Sequence, residues 1–324
     1  MRLLSKAFLF VILIAASPAI AFASPQDWAR EGWKTDFSKS SVPLDEIISG
    51  GPPRDGIPSI DNPKFVKASA VTDIADREPV IQFGLGEDIR AYPLRVLTWH
   101  EIANDMVAGT PVAVTYCPLC NAAIVFDRRL DGQVLEFGTS GKLRHSDLVM
   151  YDRRTESWWQ QFTGEAIVGA LTGEKLKLLP SRIVSFGSFR KAHPDGLVLV
   201  PNNPGFRDYG RNPYASYDTA ATPFLFNGEL PEDIPAMAHV VVVRTERDPI
   251  IVSLEKVRTD GFEMNGYRIT YEAGVASALD SATIAEGRDI GTVRVTKDGR
   301  DVPHDITFAF VAHAFHPDIQ IVTQ

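Results

Sequence analysis

The sequence predicts an α+β fold that is mostly β, with short antiparallel strands and a few short helices. Short apolar runs recur along the chain, clusters of turn-forming residues separate them, and no long stretch has helical periodicity. Many short strands joined by turns are typical of antiparallel sheets rather than of parallel sheets with crossover helices. With 324 residues, 44% of them hydrophobic, the chain can bury a full interior.

Residues 1–23 have the features of a secretory signal peptide. A basic start with Arg2 and Lys6 precedes an apolar run over 7–16, which is too short to cross a bilayer. Small residues follow, and Ala21-Phe22-Ala23 fits the cleavage rule. We therefore expect cleavage after residue 23, a periplasmic or secreted protein, and no stable membrane anchor after cleavage.

The mature chain divides into two parts. Residues 24–64 are rich in turn formers, and the glycines and prolines of 49–58 exclude a regular helix or a central strand. Interleaved apolar residues such as Ile57 and Ile60 predict an ordered loop segment that docks on the body of the protein. Residues 65–324 are then expected to form one β-rich domain.

Charge restricts the classes of partner. The chain has 33 basic and 41 acidic residues, a formal net charge of −8. This balance, without a basic stripe interleaved with aromatic residues, argues against nucleic-acid binding. The expected partner is an unidentified small molecule or a metal ion.

Local patterns predict the elements around the two cysteines of the chain. Helical spacing of apolar residues predicts a helix over 94–106, and Asp131-Gly132 predicts a hairpin turn. Strands are expected at 111–116, 122–126, 134–137 and 148–152.

Cys117 and Cys120 form a Cys-x-x-Cys pair between two predicted strands. The pair allows three interpretations: a thioredoxin-type redox couple, a metal knuckle that needs further ligands, or a disulfide that stiffens one turn. A strand rather than a helix after Cys120 gives less reason for a lowered thiolate pKa. Both cysteines are therefore candidates for catalysis and for metal binding.

Other polar residues are candidates for the same site. His100 and Glu101, on the predicted helix before the first cysteine strand, are candidate catalytic residues, and His100 is also a candidate metal ligand. The stretch 139–147 is expected to be a polar turn that offers His145 as a further metal ligand and Ser140 as a cofactor-binding residue. Arg153 is a second cofactor-binding candidate.

Taken together, these strings resemble the DUF3179 family, a group of largely uncharacterised bacterial and archaeal proteins that are often exported. The resemblance covers roughly residues 45–320, and the family supplies no mechanism. It rests on the strings GGPPRDGIP (50–58), AYPL (91–94), WHE (99–101), ND (104–105), VTYCPLC (114–120), FDR (126–128), SG (140–141), LVMYDR (148–153) and RDY (207–209).

The leading hypothesis from the sequence is an exported protein with one polar site around Cys117 and Cys120, completed by His100 and nearby acids, that binds copper or zinc. A thiol–disulfide oxidoreductase or redox sensor is the first alternative. A non-catalytic ligand-binding module, in which the cysteines form a structural disulfide, is the second. In either alternative no cofactor is required.

Overall fold

The computed structural model describes residues 24–324, so the signal-peptide prediction for residues 1–23 lies outside the described residues. The fold is α+β and mostly β, as the sequence predicts. The helices are short: α1 (Pro25–Arg30), α2 (Leu94–His100), α3 (Phe186–Ala192), α4 (Leu254–Asp260) and α5 (Ala309–Phe315).

The strands alternate with turns along the whole described chain. They are β1 (Ile47–Ser49), β2 (Lys64–Lys67), β3 (Pro79–Leu85), β4 (Asp88–Pro93), β5 (Ile102–Val107), β6 (Thr110–Cys117), β7 (Ala122–Asp127), β8 (Arg129–Leu130), β9 (Gln133–Val134), β10 (Phe137–Arg144), β11 (Asp147–Asp152), β12 (Trp158–Gln160), β13 (Glu165–Val168), β14 (Lys177–Leu179), β15 (Arg182–Ser185), β16 (Leu197–Val200), β17 (His239–Val243), β18 (Ile250–Ser253), β19 (Phe262–Met264), β20 (Tyr267–Glu272), β21 (Thr292–Lys297), β22 (Arg300–Asp301) and β23 (His304–Phe308).

Two sheets position the cysteines. Sheet I has the order β1-β10-β11-β12-β13, and sheet II has the order β14-β7-β6-β5. All strand pairs within these two sheets are antiparallel. A core cluster that includes Phe126, Met150, Trp159 and Phe308 packs around the two cysteines.

Three other sheets complete the architecture. Their orders are β15-β3-β4-β16-β2, β18-β17-β23 and β19-β20-β21-β22, and a two-stranded ribbon pairs β8 with β9. The β4–β16 pair is parallel.

The predicted helix over 94–106 starts at the expected residue but is too long. Helix α2 ends at His100, and Glu101 adopts a φ of 58°, which an α-helix cannot continue. Residues 102–107 instead form β5, which pairs with β6 through a turn at Ala108-Gly109, where both φ angles are positive. Strand pairing therefore outweighs the helical spacing, and Met106, expected on the buried face, is 50% exposed.

The predicted polar turn over 139–147 is also too long. Strand β10 runs through Arg144, and the turn is confined to His145 and Ser146, both with positive φ. A bulge between Thr139 and Lys142 lets β10 accommodate the polar residues. Three of the other strand predictions are confirmed, because strands cover 111–116, 122–126 and 148–152. The predicted turn at Asp131-Gly132 is confirmed as well and joins β8 to β9. The strand expected at 134–137 is split between β9 and β10.

The segment that precedes the main sheets packs on sheet I. Trp28 of α1 is fully buried in a cluster with Trp33, Tyr151 and Trp158. Strand β1 pairs with β10, and a covering loop, defined as residues 50–58, then crosses the bulge. The loop is held there by Gly50 N donating to Gly141 O at 2.8 Å and by Asp55 N donating to Thr139 O at 2.9 Å.

Glycine at position 141 makes this crossing possible. Its φ is +74°, and a Cβ atom there would collide with the carbonyl oxygen of Pro52. Any other residue would both strain the bulge and push the covering loop away from sheet I.

We expect Gly141→Ala to destabilise the protein through both effects. Gly132→Ala is the matched control, because Gly132 has a φ of +75° with nothing within 4 Å of its added Cβ. The control should cost about 1 kcal/mol from backbone strain alone. The collision at Gly141 should add about 1–3 kcal/mol. Urea unfolding of both variants measures the difference, and equal losses would contradict the proposed role of the crossing.

Candidate functional site

The cysteine pair lies in a tight turn that joins β6 to β7. Asn121, with a φ of 54°, donates its backbone N–H to Pro118 O at 3.2 Å and closes the turn. The Cα atoms of Cys117 and Cys120 are 5.5 Å apart and their sulfurs are 2.50 Å apart, so the pair is arranged as a disulfide. The strand after Cys120 confirms that this is a strand–turn–strand motif rather than the start of a helix.

Neighbouring elements hold this turn in place through its backbone. Tyr217 Oη donates to Leu119 O at 3.0 Å, and Thr307 Oγ1 donates to Cys120 O at 2.7 Å. Both donors come from segments more than ninety residues away in the chain. The sulfurs are therefore positioned by the folded body and not by the turn alone.

Asp147 is the ionisable group closest to the sulfurs. It begins β11 directly after the turn at His145-Ser146, and its carboxyl oxygen Oδ1 lies 3.0 Å from Cys120 Sγ. Its other oxygen accepts hydrogen bonds from Gln160 Nε2 and from Phe162 N. Burial raises the pKa of Asp147 to about 7, although these two hydrogen bonds partly offset the effect.

Glu101 is the second buried acid at the site. Its main chain is fixed between α2 and β6, because its N–H donates to Leu97 O and its carbonyl accepts from Tyr116 N. No described residue donates a hydrogen bond to its carboxyl group, and the residue is only 8% exposed. Burial, together with the nearby Asp147, raises the pKa of Glu101 to about 8.

A small cavity joins Glu101 to the cysteine pair. It has a volume of about 80 Å³, and Glu101, Cys117 and Tyr214 line it, together with Pro52 and Ile57 of the covering loop. Cys117 is 2% exposed, whereas Cys120 is fully buried. Space next to the disulfide is therefore found on the Cys117 side, and the buried acid on the Cys120 side is Asp147.

The two histidine candidates bond to other groups. His100 uses both ring nitrogens, one with Pro58 O and one with Tyr209 Oη, each at 2.7 Å. His145 lies 3.4 Å from Glu46 Oε2 and packs against the ring of Phe315. Burial lowers the pKa of both imidazoles.

Within residues 24–324, the group of side chains whose ligand atoms lie close enough to hold a metal consists of Cys117, Cys120 and Asp147. Their ligand atoms all lie within 4.8 Å of one another. The group includes neither His100 nor His145. Asp147 replaces them as the third member, and it was not among the site residues predicted from the sequence.

The two cofactor-binding candidates are also engaged elsewhere. Ser140 Oγ donates to Val149 O and accepts from Lys142 N, so its hydroxyl stabilises the bulge in β10. Arg153 donates to Ser59 Oγ at 2.8 Å and forms an ion pair with Asp61 at 3.1 Å. Ser140 therefore stabilises the bulge that the covering loop crosses, and Arg153 holds the residues that follow the loop.

A larger cavity, of about 660 Å³, lies elsewhere and is lined in part by Asp218, His239 and Arg288. Asp218 already accepts hydrogen bonds from Arg288 at 3.1 Å and from Ser277 at 2.6 Å. Burial lowers the pKa of His239 to about 3, so this imidazole is neutral. Volume alone is a weaker indication of a functional site than the chemistry of the lining residues, and the smaller cavity is the one that Cys117 lines.

The comparison with protein families identifies the chain. A model described as "Protein of unknown function (DUF3179)" matches residues 54–319. The chain belongs to the DUF3179 family. This confirms the resemblance found in the sequence, and the matched region contains residues 54–58 of the covering loop, both cysteines and both buried acids.

The other comparisons give no further relatives. A search of curated proteins finds no match, and a search of solved structures finds none. Across residues 24–324, no helix is both long and apolar enough to span a bilayer.

The raised pKa values of Asp147 and Glu101 predict that stability falls as the pH rises. Both carboxyls ionise near pH 4 in the unfolded chain but near pH 7 and pH 8 in the folded protein. The folded state therefore holds more protons between these values, and each group lowers the free energy of unfolding by about 1.4 kcal/mol per pH unit.

Glu101→Gln should remove one of these contributions and flatten the decline between pH 5 and pH 8. Urea unfolding across this range measures it, with Glu87→Gln, an exposed carboxylate, as the matched control. An identical pH dependence in Glu101→Gln and the unaltered protein would contradict the buried state of this acid.

Proposed function

We propose that the protein is a thiol–disulfide exchange protein whose redox couple is Cys117–Cys120 and whose proton donor and acceptor is Asp147. The observation that carries the proposal is the 3.0 Å contact between Cys120 Sγ and Asp147 Oδ1, next to two sulfurs at bonding distance. A disulfide that only stiffened a turn would not require a buried carboxyl, which costs free energy wherever it is placed without full solvation.

The pKa values of the two acids suit this chemistry. A group that transfers a proton works best when its pKa lies near the working pH. Burial brings Asp147 to about 7 and Glu101 to about 8, close to the ordinary value of a thiol. The φ of 58° at Glu101 is a strained backbone state of the kind that concentrates at functional sites.

The exchange proceeds in two displacements. A substrate thiolate attacks Cys117 Sγ, which forms a substrate–Cys117 bond and breaks the bond to Cys120. The electron pair goes to Cys120 Sγ, which takes the proton of Asp147. A second substrate thiolate then attacks the substrate sulfur, which forms the substrate disulfide and breaks the bond to Cys117 Sγ. Cys117 and Asp147 each take up one of the two protons that the substrate thiols gave to the solvent when they ionised. Two substrate thiols lose two electrons and two protons, and the cysteine pair gains them.

The choice of Cys117 as the attacked sulfur follows from the surroundings of the two cysteines. Cys117 lines the cavity, whereas Cys120 is fully buried against Asp147. The leaving sulfur is thereby the one with an acid beside it. The exported location predicted by residues 1–23 would place this couple in an oxidising compartment.

We expect Asp147→Asn to slow reduction of the disulfide by dithiothreitol about a hundredfold below pH 7, since general acid catalysis typically contributes that much. The rate per thiolate should decline above pH 7 in the unaltered protein, because Asp147 loses its proton there, and should lack this inflection in the variant. Stopped-flow kinetics with alkylation of the released thiols measures both.

Asp152→Asn is the matched control for this experiment. Asp152 is a buried carboxylate at the other end of β11, where it accepts from Thr155 N and Trp159 Nε1. Five residues of strand place it about 17 Å from Asp147. A loss of rate in both variants, in proportion to their loss of stability, would refute a proton-transfer role for Asp147.

Metal binding by the reduced pair is a second candidate function, favoured by the grouping of Cys117, Cys120 and Asp147 within 4.8 Å. Two thiolates and a carboxylate suit zinc, and thiolates also suit copper in its reduced state. The disulfide excludes this function, because its sulfurs are not thiolates. Metal would therefore bind only after reduction.

Calorimetric titration with zinc of protein that has been reduced with dithiothreitol and then freed of it without air tests this second function. We expect one zinc per chain, no binding to the oxidised protein, and affinity at least about tenfold lower in Asp147→Asn. His100→Ala should bind as tightly as the unaltered protein, because His100 bonds to Pro58 and Tyr209 instead. Equal binding by the oxidised protein would rule out the sulfurs as ligands.

A further inference from the structure

We infer that the substrate of the Cys117–Cys120 couple is a thiol of low molecular weight without net negative charge, and not the dithiol of a protein partner. The inference rests on the proposed exchange function and adds the class of substrate. It follows from the size, the enclosure and the charge of the space next to Cys117.

Size is the first constraint. The cavity beside Cys117 has a volume of about 80 Å³. One water molecule needs about 10–15 Å³ of space that is open to a water-sized probe, so this space admits a small molecule of only a few non-hydrogen atoms. A thiol with a short carbon chain fits, whereas a tripeptide thiol or a loop of a folded protein does not.

Enclosure is the second constraint. A protein cysteine could reach Cys117 only if the covering loop left sheet I or if the cysteine turn moved outward. The loop is held by Gly50 N to Gly141 O, by Asp55 N to Thr139 O and by Thr139 Oγ1 to Ile57 O at 2.7 Å. Breaking these three shielded hydrogen bonds together would cost several times the net contribution of one hydrogen bond to stability, which is about 1 kcal/mol.

The turn itself is also prevented from moving outward. Leu119 and Cys120 use their carbonyls to accept from Tyr217 and Thr307, which belong to other parts of the fold. With Cys117 only 2% exposed, the sulfur is reached through the cavity rather than across the protein surface.

Charge is the third constraint. Glu101 is the acidic residue that lines the cavity, and Asp147 lies on the other side of the disulfide, 3.0 Å from Cys120 Sγ. Lys142 also lines the cavity, but its ammonium group pairs with Glu31 at 2.6 Å. A thiol that carried its own carboxylate would bring that negative charge into a buried space without an available cation, which is unfavourable.

Four reductants of the oxidised protein separate these constraints: 2-mercaptoethanol, mercaptoacetate, glutathione and reduced thioredoxin. Mercaptoacetate matches 2-mercaptoethanol in size but is anionic, glutathione is larger, and thioredoxin presents a protein dithiol. We expect 2-mercaptoethanol to be at least about tenfold faster than each of the others when rates are compared per thiolate. Acid quenching followed by alkylation and mass spectrometry measures the rates.

A variant that opens the cavity provides an independent check. Ile57→Ala removes part of the covering loop's contact with the cavity, and it should raise the ratio of the glutathione rate to the 2-mercaptoethanol rate about tenfold. Ile269→Ala is the matched control, because it removes the same atoms from a buried position in a separate core cluster. It should leave both rates unchanged.

The outcomes distinguish the two proposals. If thioredoxin or glutathione reduces the protein as fast as 2-mercaptoethanol, the small-thiol inference is overturned and the exchange function stands. If none of the four reduces the pair until the protein is unfolded in urea, the exchange function itself fails. A faster glutathione rate in both Ile57→Ala and Ile269→Ala would also overturn the inference, because general loosening would then explain the access.

Discussion

The arrangement of this site depends on the contact between the buried carboxyl group of Asp147 and the sulfur of Cys120. Asp147 joins sheet I, where it begins β11, to the cysteine turn of sheet II. Gln160 and Phe162 hold its second oxygen, so its first oxygen is directed at Cys120. A carboxyl placed in this way is costly for stability, and the fold compensates with a large core around it.

Much of the fold follows from local sequence patterns. Runs of β-branched and apolar residues define β6, β7 and β11, and Asp131-Gly132 defines the small hairpin. Errors arise where tertiary pairing outweighs local periodicity. Residues 102–107 have a helical spacing of apolar groups, but pairing with β6 along the whole of β5 buries Ile102 to Asp105 and leaves Met106 in solvent.

The composition of the site could be predicted only in part. The Cys-x-x-Cys pair can be read directly from the sequence, and so can His100 and Glu101, which precede it. The sequence could not show which of His100 and Glu101 faces the sulfurs, because the answer depends on one backbone angle. The positive φ at Glu101 reverses the chain after α2, so Glu101 lines the cavity while His100 bonds to Pro58 and Tyr209.

Asp147 was missed for a related reason. It follows His145 and Ser146 in a polar stretch that has the composition of a surface loop. The observed strand β10 extends through most of that stretch, which shortens the turn and brings the next residue into the interior. A buried carboxylate at the start of a strand leaves no distinctive pattern in a single sequence, since only its distant partners reveal its burial.

The crossing of the covering loop over Gly141 has a consequence for how the molecule matures. The segment before residue 60 finds its partners about a hundred residues later in the chain, as in the pairing of Ile47 with Arg144. Contacts that close such long spans form late in folding. The cysteines are therefore more accessible to bulky oxidants before the loop docks than in the finished fold, where Cys117 is only 2% exposed.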